Sequence, residues 1–156
     1  MKFFCTKENL SKALGLVIGV AGKSINLPIL SNVLIRASEQ KVEFVATNLE
    51  LAIVSNLRAK VEESGTFTVP ARTLNDFVNL LSDEKVELTL KDNELEVVCG
   101  KSSTKIKGTP ADEFPVVPTP GEGKGYLVDA EAFKHGLGQV FQAAAKNEIR
   151  QELSGV

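Results

Sequence analysis

Gly19-Val20-Ala21-Gly22-Lys23-Ser24 comes nearest to a stretch with a chemistry of its own. A Gly-Lys-Ser ending belongs to loops that wrap phosphate, where backbone amides approach the anion and the lysine reaches its outer oxygens. Such a loop also needs a glycine five positions before Gly22, where this chain has Val17. It needs a strand before it and a helix directly after it, so that free amides point at the phosphates. Here a helical pattern precedes the loop and Asn26-Leu27-Pro28 follows. A nucleotide-binding enzyme built on Gly19–Ser24 is therefore the alternative reading and not the favoured one. His135, the only histidine, falls on the polar side of a helical pattern, with no Ser or Cys nucleophile to pair with it. Glu62-Glu63, Asp83-Glu84 and Asp112-Glu113 fall in turns or loops, which suits solvated carboxylates better than an acid–base pair. Cys5 and Cys99 are the only cysteines and lack a C-x-x-C spacing or a neighbouring histidine, so Cys5 reads as a small buried hydrophobe. No catalytic residue, metal ligand or cofactor is expected.

The elements that would carry these residues repeat. Phe3, Cys5, Leu10, Leu14 and Val17 have the same spacing as Phe67, Val69, Leu74, Val78 and Leu81, and as Tyr126, Val128, Phe133, Leu137 and Val140. The first two of each set are two apart, as on one face of a strand; the last three are four and three apart, as on one face of a helix. The copies start 64 and 59 residues apart, a period that points to an array of like units. The third copy is about half present, so the chain is expected to be the start of a longer repetitive protein.

Strand signals follow the first helix near 30–37, 41–47, 51–56 and 58–62, and the second near 85–90, 95–99 and 103–107. Each full copy is one helix with antiparallel strands, an α+β arrangement. The two ladders are expected to lie on one continuous sheet backed by neighbouring helices. Pro110, Pro115, Pro118 and Pro120, then Gly121, Gly123 and Gly125, mark an extended connection. The reading is one domain at 1–114 (copies at about 1–63 and 65–114), a linker at 115–123, and the truncated start of a second domain at 124–156. No apolar run approaches the ~20 residues of a membrane span, and Met1–Cys5 is too short for a signal peptide. A cytoplasmic protein is expected.

The net charge of −2 does not advertise a polyanion partner. In register, the polar helix faces read Glu8, Ser11, Lys12, Gly15, then Arg72, Asn75, Asp76, Asn79, then Glu131, Lys134, His135, Gly138. Each strip is near neutral and rich in small or amide side chains. Such a surface can sit near a polyanion without gripping it.

Several motifs then converge: Asn26-Leu27-Pro28-Ile29-Leu30-Ser31-Asn32, Thr47-Asn48-Leu49-Glu50, Val69-Pro70-Ala71-Arg72, Pro110-Ala111-Asp112-Glu113-Phe114-Pro115 and Arg150-Gln151-Glu152-Leu153-Ser154-Gly155-Val156. In order and spacing the chain resembles the bacterial DNA polymerase III beta subunit, the sliding clamp. The resemblance implies a DNA-clamp fold, with two copies of the unit per domain and three domains per subunit. It implies a head-to-tail dimer closed around duplex DNA, with helices lining the hole. It further implies a non-catalytic processivity factor in DNA replication, whose partners are duplex DNA of any sequence, a second subunit, the polymerase III alpha subunit and the clamp loader. DNA-directed polymerase activity would belong to that complex. Lys23, Ser24, Arg72, Asn147, Gln151 and Glu152 take the DNA-near positions. Ser24 stands where the family has an arginine, with Lys23 beside it, and Glu152 would repel phosphate. Arg150 and Leu153 match the rim of the groove that accepts partner peptides. Lys101, Thr104 and Ile106 lie on the strand that meets the partner subunit. A non-clamp interaction module of the same fold is the remaining alternative.

Overall fold

The structure is a computed structural model that describes residues 1–22, 27–82, 84–118, 125–144 and 155. It divides into two compact units, Met1–Pro118 and Thr119–Val156. In the first unit β1 (Lys2–Thr6) leads directly into α1 (Lys7–Val17). Phe3 and Cys5 turn inward by strand alternation, and Thr6 caps the helix by accepting a hydrogen bond from the Asn9 amide at 3.2 Å. Leu10, Ala13, Leu14 and Val17 form the buried stripe. The helix closes at Val17, with Ile18 as its cap. After a single 3₁₀ turn at Pro28–Ser31 come β2 (Asn32–Ala37), β3 (Val42–Thr47), β4 (Ala52–Leu57) and β5 (Ala59–Glu63).

The second copy repeats the plan with β6 (Gly65–Pro70), α2 (Ala71–Leu80), β7 (Lys85–Lys91), β8 (Glu94–Cys99) and β9 (Ser102–Lys107). The strands form two antiparallel sheets, ordered β5-β1-β7-β8-β9 and β4-β3-β2-β6, and not the single continuous sheet expected. The ladders explain the break. β5 and β7 occupy the two edges of β1, so β6 has no edge of β1 to join. Each copy's first strand instead docks on the other copy's meander. Phe3 faces Leu88 and Cys5 faces Val86, just as Phe67 faces Ile35 and Val69 faces Val33. The two copies are interlocked by this exchange, and their apolar side chains share one core.

A polar latch closes the unit. The buried Asn32 amide donates to Thr68 Oγ1 at 3.2 Å and Thr109 Oγ1 at 3.1 Å, and Thr68 Oγ1 donates to the Thr109 carbonyl at 2.9 Å. Gly108 lies so close to β6 that a Cβ there would meet the Thr68 carbonyl oxygen at 1.9 Å. Beyond the latch, Phe114, with Ala111 and Val117, packs on Leu34 and Val45, a facing pair of β2 and β3. The Pro110–Pro115 motif is thus anchored by its phenylalanine. The Thr47–Glu50 motif is the β3–β4 turn: Asn48 Oδ1 accepts from the Glu50 and Leu51 amides at 3.0 and 2.7 Å, and Leu49 takes φ 78°.

In the second unit α3 (Ala130–Val140) is capped by Asp129, whose side chain accepts from the Ala132 amide at 2.8 Å. Residues 125–129 are not a strand, contrary to the pattern at Tyr126 and Val128, and among the described residues no ladder pairs with them. Tyr126, Phe133 and Leu137 are exposed.

Candidate nucleic-acid interface

α1 and α2 pack against each other on the core. The start of α1 meets the end of α2. The Lys7 ammonium donates to the Leu81 carbonyl, and the Lys7 amide donates to the Glu84 carbonyl at 2.7 Å. The lysine thereby serves a carbonyl that the end of α2 leaves without a helical partner. With their apolar stripes buried, both helices turn their polar strips outward. Glu8, Lys12 and Gly15 are exposed on α1, as are Arg72, Asp76 and Asn79 on α2, while Ser11 and Asn75 are half-buried.

Two of the charges on this face are spent on each other. Lys12 Nζ lies 2.6 Å from Glu8 Oε1, and this bond holds the Glu8 carboxyl below the usual carboxylate range. Arg72 makes no ion pair among the described residues. The surface is broad and near neutral, with the Arg72 guanidinium and the Asp76 carboxylate both outside any ion pair among the described residues. It can lie along a phosphate backbone with little attraction and little friction.

The remaining expected site residues are distributed unevenly. Lys23, Ser24, Asn147, Arg150, Gln151, Glu152 and Leu153 lie outside the described residues. Lys101 is exposed in the β8–β9 turn, Thr104 is half-buried on β9, and the Ile106 side chain is in the core at 4% exposure. β9 is the outer strand of its sheet, so among the described residues its free side has no ladder partner. α2 packs beside β9, and Leu80 is 84% exposed there while Phe77 is half-buried. Phe77 and Leu80 were not singled out from sequence. Leu80 could have been found as a large apolar residue standing outside the Leu74, Val78, Leu81 stripe.

The Gly19–Ser24 stretch is not set up as a phosphate loop in its described part. The Ala21 amide donates to the Val17 carbonyl and the Gly22 amide to Leu30, and the next element is the short turn at Pro28, not an α-helix. No group of three or more His, Cys, Asp or Glu side chains is placed to hold a metal among the described residues. The Cys5 thiol is pushed up to about 12, by burial first and by Cys99 second. No helix among the described residues is long and apolar enough to cross a membrane.

The sequence model of the DNA polymerase III beta subunit, N-terminal domain, matches residues 1–118. The chain belongs to this family. A Synechocystis protein named beta sliding clamp is 34% identical to it over all of this chain and 42% of the relative. The crystal structure of the DNA polymerase sliding clamp from Caulobacter crescentus superposes with a TM-score of 0.92 at 31% identity, over 99% of this chain and 43% of that one. The DNA polymerase III subunit beta of Pseudomonas aeruginosa gives a TM-score of 0.88 at 31% identity, with 99% and 43% covered. The chain thus spans about two-fifths of the length of these beta-subunit relatives. The clamp fold accounts for both the interlocked copies and the paired helices with neutral outer faces.

Proposed function

We propose that this chain is the N-terminal part of a sliding clamp, a non-catalytic processivity factor that encircles duplex DNA and tethers the replicative polymerase. The observation that carries the reading is the paired α1–α2 face. It is polar, near neutral and rigidly backed by one core, in a chain that belongs to the beta-subunit family. A ring holds DNA by enclosure, so the lining needs no strong attraction, and strong attraction would slow sliding. In this reading Arg72 faces phosphate, with Lys23, Ser24, Asn147, Gln151 and Glu152 near it. Arg150 and Leu153 border the groove for peptides of the polymerase III alpha subunit and clamp loader. β9 meets the partner subunit along its open edge, with Thr104 on the strand, Lys101 in the turn before it and Ile106 anchoring it to the core, and Phe77 and Leu80 add an apolar margin to that edge. No cofactor takes part, and the cytoplasm is the place of action. The domain limits proposed from sequence, with a linker at 115–123, belong to the same reading; limited proteolysis should cut between Pro115 and Gly125 and release a stable fragment of residues 1 to about 114.

The deciding experiment uses the ring that carries this segment, loaded on a nicked circular plasmid. Linearising the plasmid should release it from the ends. A protein that stays on the linear DNA binds by direct contact and is not a clamp. Calorimetry with ATP and magnesium addresses the enzyme reading, for which a stoichiometric isotherm is required.

A further inference from the structure

The end of β1 and the neighbouring edge of β5 carry a feature that DNA encirclement leaves unused. Phe3 and Cys5 point into the core, so Phe4 between them points outward. Its ring stands between two ammonium groups, with Lys2 Nζ 5.1 Å and Lys85 Nζ 4.9 Å from the ring centroid. A groove of about 660 Å³ opens beside it around the edge of β5, reaching from Phe4 on the outer face to Ala59 and Asn9 on the helix side, with Arg58, Lys60 and Lys85 as cations. β5, which forms part of the wall, is the outer strand of the five-stranded sheet. Its outward N–H and C=O groups therefore have no ladder partner among the described residues.

The charges at this groove are unbalanced. Its carboxylates are Glu62 and Glu84. Lys2 engages Glu62 at 3.1 Å. Arg58, Lys60 and Lys85 form no ion pair among the described residues, which leaves three cations facing the single uncommitted carboxylate of Glu84. We propose that this groove docks an extended acidic peptide of a partner protein, added as a further strand against β5. Its apolar side chain would rest on Phe4 and its carboxylates would meet Arg58 and Lys60. An added strand satisfies the open edge with main-chain hydrogen bonds, and alternate side chains give the selectivity. A nucleic acid fits less well. Its backbone offers acceptors but no donors at strand spacing, so it cannot satisfy the carbonyl groups of the open edge. The inference does not depend on the clamp reading, because it rests on the open edge of β5 and the cations around Phe4.

The test is fluorescence anisotropy on the full chain, with a labelled ten-residue peptide alternating glutamate and valine. Binding should weaken by about tenfold or more in the double variant Arg58→Glu, Lys60→Glu, the scale of one lost charge-assisted contact. Phe4→Thr should weaken it several-fold. Both changes are at surface positions, and far-UV circular dichroism checks that each variant is folded. In amide exchange, alternate residues of 59–63 should gain protection on binding. Equal affinity for a peptide alternating lysine and valine, equal affinity for a single-stranded ten-nucleotide probe, or protection outside β5 would each overturn the proposal. So would the absence of binding to the glutamate peptide.

Discussion

The first and third copies of the repeat carry the same apolar spacing and meet opposite fates. Leu10, Leu14 and Val17 of α1 are fully buried, whereas Phe133 and Leu137 of α3 are 57% and 40% exposed. Both helices are capped in the same way, by Thr6 and by Asp129. The difference lies in the strands. β1 has ladders on both sides, and residues 125–129 have none. Helix formation here follows from local signals, but burial of the stripe requires the strands of a second copy. That is the sense in which the unit of stability in Met1–Pro118 is the pair of copies.

The sharpest way to break this comparison is to truncate one aromatic of the repeated pattern in each copy. Phe3→Ala should cost roughly 3–5 kcal/mol in urea unfolding followed by circular dichroism. Phe133→Ala should stay within about 0.5 kcal/mol. Equal costs would mean that the third copy is as well packed as the first. Next in size is a pair of glycines. Gly108→Ala pushes a methyl into the Thr68 carbonyl and should lose about 3 kcal/mol. Gly136→Ala in α3 meets nothing within 4 Å and should strengthen that helix by up to about 1 kcal/mol. Unchanged stability of the Gly108 variant would refute the close approach of the latch.

Cap removal is expected to be smaller. Thr6→Ala should lower global stability by about 1 kcal/mol, while Asp129→Ala should speed amide exchange only within α3. The smallest effect is alkaline. The Cys5 thiol, at about 12 in the fold against an ordinary 9.0, contributes stability in full below pH 9. That contribution is lost as pH rises from 9 toward 12, because the unfolded chain ionises first. Cys5→Val, the residue type at Val69 and Val128, should match the parent near pH 7 and fall less steeply above pH 9. Parallel pH curves would show that burial does not govern this thiol.

The ladder from Phe3 to Val17 was legible because its spacing is local, and the same holds for the ladder from Phe67 to Leu81. The exchange of first strands was not legible. Nothing in Phe3 or Val69 says whether its neighbour is Leu88 or Val33, since all are apolar residues of strand type. The separation into two sheets depends on β5 taking one edge of β1, a choice made in space. On the candidate interface, Arg72 and the neutral strips could be read from helical periodicity, because a polar face is defined by what the apolar stripe leaves over. The role of Lys7 at the end of α2 could not, since its acceptor is 74 positions away in the chain. Phe4 was hidden for a related reason: in a run of apolar residues, only the pleat decides which side chain faces out.

The reciprocal docking of β1 and β6 bears on what one copy could be alone. A polypeptide limited to the first copy would present β1 without β7 and β2 without β6. Two such polypeptides could repair each other by a domain-swapped embrace, reproducing within a homodimer the ladders that one chain now holds. Sedimentation of a 1–64 fragment as dimers would agree with that origin, and a folded monomer would speak against it.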